Sequence, residues 1–251
     1  MCRKTPMLAA FALLVAIAAH SGEPMYTPQQ LVEKSIAHHD PRGVWHTGRI
    51  RLRVQTTYSD ELAARAGDKE TTLSLTLSPH HEEFGYVKEA GADTIDIRMR
   101  RGQSTMIVNG SADVSEADKE RLRLREAVTY RDYCEYLYGM PMKLEDPGTI
   151  LAPTVGSVRF NDREVWQLKV TYDPDVGGDT WYFYFDPETA ALVGCRFYHD
   201  ESKNDGEYIV FAREIVDAAN GLRLPQARAW YTNADDKHLA TDTIASMSAA
   251  P

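Results

Sequence analysis

Between Val165 and Tyr198 the chain carries three apolar-rich runs, Val165–Tyr172, Thr180–Phe185 and Leu192–Tyr198. They are separated by Asp173-Pro-Asp-Val-Gly-Gly-Asp179 and Asp186-Pro-Glu-Thr189. Short apolar runs divided by Asp, Pro and Gly are the pattern of a β-meander. Side chains on a strand alternate between two faces, so each run sends one apolar row to one side. The rows are Trp166, Leu168, Val170 and Tyr172; then Trp181, Phe183 and Phe185; then Val193, Cys195 and Phe197. Side by side they make an aromatic wall, and a chain with such a wall must cover it.

The rest of the chain extends this theme. Ile50, Leu52, Val54, Thr56 and Tyr58 alternate with Arg49, Arg51, Arg53 and Gln55, a half-buried antiparallel strand. Leu73, Leu75 and Leu77 repeat the pattern, and further strands are expected at 83–89, 94–101, 104–109, 207–215, 224–232 and 238–244, with a frayed Ala-Ser-Met-Ser tail. Thr27-Pro28 reads as the cap and first residue of a helix that stops before Pro41, and Gly43 permits the turn into Trp45. Glu61 to Arg65 fit a helical turn. Ser115-Glu-Ala-Asp118 resembles a capping box opening a second long helix, charged at first and then aromatic through Tyr130, Tyr133, Tyr136 and Leu137, up to Gly139-Met-Pro141. The expected architecture is mainly β (α+β): a strongly curved antiparallel sheet or half-open barrel of ten or eleven strands. One helix covers the concave face and another stands at the N-terminus.

Residues 1–21 read as a cleaved signal peptide. Arg3 and Lys4 precede an apolar stretch from Met7 to Ala19, and Ala19-His-Ser21 is a cleavage site. Cys2 precedes the apolar stretch, the wrong place for lipidation, so a periplasmic or secreted protein is expected, with residues 22–251 forming one domain and no membrane span. The formal net charge of −9 becomes more negative once the basic leader is removed, which disfavours nucleic acid and anionic headgroups over the surface as a whole. Nothing in the sequence specifies an oligomer, and a monomer is expected.

Several features bear on chemistry. Asp173, Asp175 and Asp179 alternate around a glycine turn, a spacing compatible with a hard cation, although the closing bidentate Glu is missing and a hairpin loop accounts for the same residues. Histidines occur in three separate clusters, at 38–39, 80–81 and 199. Cys134 and Cys195 are either a disulfide pinning helix to sheet or two buried thiols. Arg49, Arg51 and Arg53 read as an outer stripe paired with neighbouring carboxylates. No nucleophile elbow, Walker loop, dinucleotide fingerprint or His-Glu-x-x-His helix is present. No cofactor and no catalytic residue is expected.

The motifs His39-Asp-Pro-x-Gly-x-Trp45, Tyr136-Leu-Tyr-Gly-Met-Pro-Met-Lys-Leu144, Trp181-Tyr-Phe-Tyr-Phe-Asp-Pro187, Glu201-Ser-Lys-Asn-Asp-Gly-Glu-Tyr208 and Pro225-x-x-Arg-Ala-Trp-Tyr231 resemble a family of secreted bacterial proteins known as a domain of unknown function. More distantly, the element order is similar to the LolA/LolB-like lipoprotein carriers. That resemblance implies a helix-covered half-barrel holding an acyl chain, lipid or lipoprotein anchor, with a lipoprotein or envelope protein as partner. The expected lining is Trp166, Trp181, Phe183, Phe185 and Phe197 from the wall, Tyr130, Tyr133 and Leu137 from the helix, and Met140 and Met142 at the rim. The alternatives are an interaction module with a fully packed interior and, third, a metal-dependent hydrolase.

Overall fold

A computed structural model describes residues 26–250. The leader assigned to residues 1–21 lies outside the described residues. The helices are α1 (Pro28–His39), α2 (Val44–Thr47), α3 (Asp60–Ala66), α4 (Glu116–Arg121) and α5 (Ala127–Gly139). The strands are β1 (Arg49–Tyr58), β2 (Glu70–Ser78), β3 (Glu83–Ala90), β4 (Asp93–Arg100), β5 (Gln103–Val108), β6 (Thr149–Phe160), β7 (Arg163–Tyr172), β8 (Thr180–Phe185), β9 (Leu192–Tyr198), β10 (Glu207–Val216), β11 (Arg223–Thr232) and β12 (His238–Ala250). All twelve join one antiparallel sheet in the order β5-β4-β3-β2-β1-β12-β11-β10-β9-β8-β7-β6. The sheet is curved and unclosed, with β5 and β6 as its edges. The mainly β fold class expected from the sequence is the one observed. No helix of the described residues is long and apolar enough to cross a membrane.

The twelfth strand is β6, which the sequence pattern conceals. Pro153 and Gly156 interrupt it, and the register shifts between Leu151 and Val155. Proline is tolerated because β6 is an edge strand and bulges there, so no ladder bond is lost in mid-sheet. The C-terminal tail is not frayed: β12 continues to Ala250 and pairs with β1 down to Arg49. Ile244 and Met247 are three residues apart, out of phase for a strand. The register shift between Arg53 and Val54 restores the phase, and both side chains join the core.

The expected long helix from Ser115 is two helices. Ser115 Oγ caps α4 by accepting from the Asp118 amide at 3.1 Å. The chain then turns at Arg123, whose φ is 51°. Leu122 and Leu124 explain the break. A helix would point residues two apart to opposite sides, whereas both leucines pack on the core.

The N-terminal motif has a direct reading. Asp40 is buried, and its carboxylate accepts from the amides of Val44 and Trp45, each at 2.8 Å. Gly43 adopts a φ of 65° to allow that return. Trp45 is thereby driven into the core against Gly139, where an added Cβ would lie 2.3 Å from the indole. The motif at 136–144 thus meets the motif at 39–45 through one glycine.

Candidate functional site

Helix α5 crosses the concave face. Tyr130 meets Tyr86 of β3 with ring centroids 4.9 Å apart, and Tyr136 meets Trp181 of β8 at 5.0 Å. Tyr138 lies under the Arg228 guanidinium of β11, 4.5 Å from the ring centre. The helix therefore faces two different surfaces. Over β7 and β8 its Tyr136 packs on Tyr172 and Trp181, with a smaller depression of about 360 Å³ beside Glu135, Tyr172 and Val176. Over β1, β2, β3, β11 and β12 it leaves a cleft of about 470 Å³.

The wall is packed core. Phe183 and Phe185 are fully buried, and in the ladder Leu168 and Cys195 flank Phe183. Trp181 stacks on Phe183 at 5.8 Å and on Phe197 at 4.8 Å. Trp166 sits opposite Phe185 and is partly buried against the same cluster, as Met140 and Met142 are fully within it. Val193 departs from the expected inner row. A register shift between Tyr184 and Phe185 sets Leu192 opposite Phe185 and turns Val193 to the outer face with Phe160, Val165 and Tyr184. Of the ten residues expected to line a cavity, Tyr130, Tyr133 and Leu137 face the cleft, and the other seven lie outside its lining.

The cleft wall is apolar at Leu73, Tyr86, Tyr130, Leu137 and Ala240, and polar at Lys88, Glu207 and Asp242. Asp242 accepts from Thr56 Oγ1 at 2.6 Å and from Trp230 Nε1 at 2.9 Å, so its charge is held by fixed donors. Burial pushes the Glu207 carboxyl above its ordinary range. The cleft runs on past Tyr58, Leu62, Thr71 and Lys88 into a more polar depression of about 580 Å³ near Arg65, Asp68 and Arg121. Tyr133 is the most exposed of the lining rings, at 57%.

Sequence reasoning missed Lys88, Arg228, Trp230 and Asp242. Strand parity would have found them: Lys88 shares a face with Tyr86, Arg228 with Trp230, and Asp242 with Ile244. Arg228 is buried, donates to the Pro225 carbonyl at 2.8 Å and lies between the Tyr138 and Phe211 rings. Such a cation is held by ring faces and carbonyl rather than by an ion pair.

The remaining candidates are not assembled into a reactive centre. Cys134 and Cys195 are buried free thiols rather than a disulfide. Burial pushes each thiol up to about 12, so neither supplies a thiolate at neutral pH. Asp173 and Asp175 are exposed at the meander turn, and Asp179 instead takes His199 Nδ1 at 2.8 Å. Among the described residues, the grouping with metal-like proximity is His38, His39 and Glu214, whose ligand atoms lie within 4.8 Å of one another. Both nitrogens of His39 are already engaged: Nδ1 donates to the Arg223 carbonyl at 2.8 Å, and Nε2 accepts from the Leu192 amide at 2.9 Å. That ring is a structural bridge and has no lone pair to offer an ion.

Residues 9–246 match a family of unknown function, DUF6503. The chain belongs to that family. Among solved structures, the DUF6503 chain is similar to a LolA superfamily protein from Nitrosomonas europaea, with 12% identity, 89% of this chain and 93% of that one covered, and a TM-score of 0.46. It is also similar to a DUF1329 family protein from Desulfovibrio piger, with 9% identity, coverage of 90% and 93%, and a TM-score of 0.49. No curated protein matches this DUF6503 chain.

Proposed function

We propose that this DUF6503 protein is an exported, non-enzymatic binding protein that holds an apolar chain, such as an acyl tail, in the cleft beneath α5. The observation that carries the reading is the contrast across one helix: α5 packs its rings on Tyr172 and Trp181 over one half of the concave face and leaves a largely apolar trough of about 470 Å³, with Lys88, Glu207 and Asp242 among its lining, over the other. That volume falls in the range of small-molecule sites. Each acyl methylene withdrawn from water contributes about 0.8 kcal/mol, so a long tail is held mainly by burial. The aromatic wall backs the site and fixes the position of α5.

Tyr133 offers the cleanest test, because it lines the cleft yet is half open to solvent in the free protein. In a fluorescent fatty-acid displacement assay, Tyr133→Ala is expected to weaken binding about tenfold, the loss of part of one aromatic contact. Its melting temperature should stay close to that of the unaltered protein. Absence of displacement in the unaltered protein, or equal affinity in the variant, would remove the cleft as the site.

A further inference from the structure

The outer face of the first five strands carries a second feature, unrelated to the cleft. Arg51 and Arg53 of β1 point outward and are exposed. Counting outward from β1, the ladder places Thr76 opposite Arg51, Gly85 opposite Thr76, and Arg98 opposite Gly85. On the other side Ser248 lies opposite Arg51, and Ser246 opposite Arg53. These residues border a shallow groove of about 320 Å³. Gly85 keeps it open: a Cβ there would stand 3.3 Å from Arg98 Nη1 and 3.3 Å from Thr76 Cβ, so the Arg98 guanidinium lies across the glycine.

The sequence expectation that this stripe pairs with neighbouring carboxylates holds for part of it only. Glu83 takes Arg49 and Arg100, and Asp96 takes Arg98. Arg51 and Arg53 meet the hydroxyl-bearing strands β2 and β12 instead, and no described carboxylate forms an ion pair with either. A planar guanidinium flanked by hydroxyl donors matches the tetrahedral oxygens of a phosphate.

We propose that this outer face docks the protein on a bilayer containing anionic phospholipid, with headgroup phosphates in the groove held by Arg51 and Arg53. Two observations select a lipid surface over a protein partner. Between the arginines the outward positions of the groove are Ser74, Thr76, Gly85, Ser246 and Ser248 with Val87, and its lining has no aromatic side chain of the kind that concentrates affinity in protein interfaces. The arginines form a row along a sheet, and an array of headgroups meets such a row without shape complementarity. The chain's formal charge of −9 disfavours approach to anionic headgroups over the surface as a whole, so a local pair of cations without carboxylate partners would orient the molecule on them. This proposal stands independently of what the cleft holds.

The test is co-sedimentation of the mature protein with vesicles of phosphatidylglycerol and phosphatidylcholine, against pure phosphatidylcholine, at low ionic strength. The protein is expected to sediment with the anionic vesicles alone and to be released by salt. The double variant R51Q/R53Q should partition about thirtyfold less, a factor of roughly five or six per charge, with an unchanged melting curve. A second double variant, K119Q/R125Q, removes exposed charge elsewhere and should sediment like the unaltered protein. Failure of the unaltered protein to sediment, or equal sedimentation of R51Q/R53Q, would overturn the proposal. So would capture by soluble polyglutamate in place of vesicles, which would make the face a site for an acidic protein.

Discussion

Phe183→Ala should lower the unfolding free energy by about 4 kcal/mol and the melting temperature by about 10 °C. The ring is fully buried, stacked on Trp181 and set between Leu168 and Cys195 in the ladder. Its removal costs the transfer of the ring and leaves a cavity that rigid strands on both sides cannot close. The loss is a large share of the stability of an ordinary domain. Fatty-acid affinity, measured where the variant is still folded, should be nearly unchanged, because the ring lies outside the cleft lining. Thermal denaturation by circular dichroism beside the displacement assay checks both halves. A loss of affinity larger than the loss of stability would place the ligand on the wall.

That result separates two readings which the sequence alone leaves together. Alternation identified the inward rows of the meander, Val193 apart, and its aromatic character, and the need of a curved sheet to cover its concave face supplied the place for α5. Period two says which face a ring occupies and nothing of what stands opposite it. Tyr136 lies over Trp181, while at the other end of the same helix Tyr130 leans on Tyr86 and leaves a gap beside Leu73 and Leu137. Both outcomes arise from identical strand patterns, so the position of the cleft was not legible. The bulges were equally hidden. Those at Tyr184/Phe185 and Arg53/Val54 each shift one residue across the sheet, and it is pairing with the neighbouring strand, absent from the local pattern, that fixes them. The break at Arg123 was readable in Leu122 and Leu124, which stand two apart where a helix needs three or four.

The second large effect concerns pH. His39 is buried where α1 ends, and its ring joins the Leu192 amide to the Arg223 carbonyl. One nitrogen must donate and the other accept, so the folded protein requires the neutral ring. Burial lowers its pKa from 6.5 to about 4, with the nearby His38 contributing in the same direction. Between those values the unfolded chain takes up a proton that the native one refuses. The stabilisation is therefore complete above about pH 6.5 and lost as pH falls towards 4, amounting to about 3 kcal/mol. The exposed His199 works in the opposite sense: its pairing with Asp179 raises its pKa, a contribution fully present below 6.5. Urea unfolding at a series of pH values should show the decline. In His39→Gln, stability at neutral pH should drop while the slope between pH 6.5 and 4 flattens. An unchanged slope in that variant would assign the decline to other groups.

Trp230 lines the cleft, whereas Trp45, Trp166 and Trp181 do not, and this distinction tests where a ligand lies. Brominated fatty acid quenches tryptophan only at contact range, so the protein is titrated with it beside a Trp230→Phe variant that keeps a ring in place. Quenching should be clear in the unaltered protein and largely lost in the variant. Quenching that persists in Trp230→Phe, or none in either protein, would contradict an acyl chain held beneath α5.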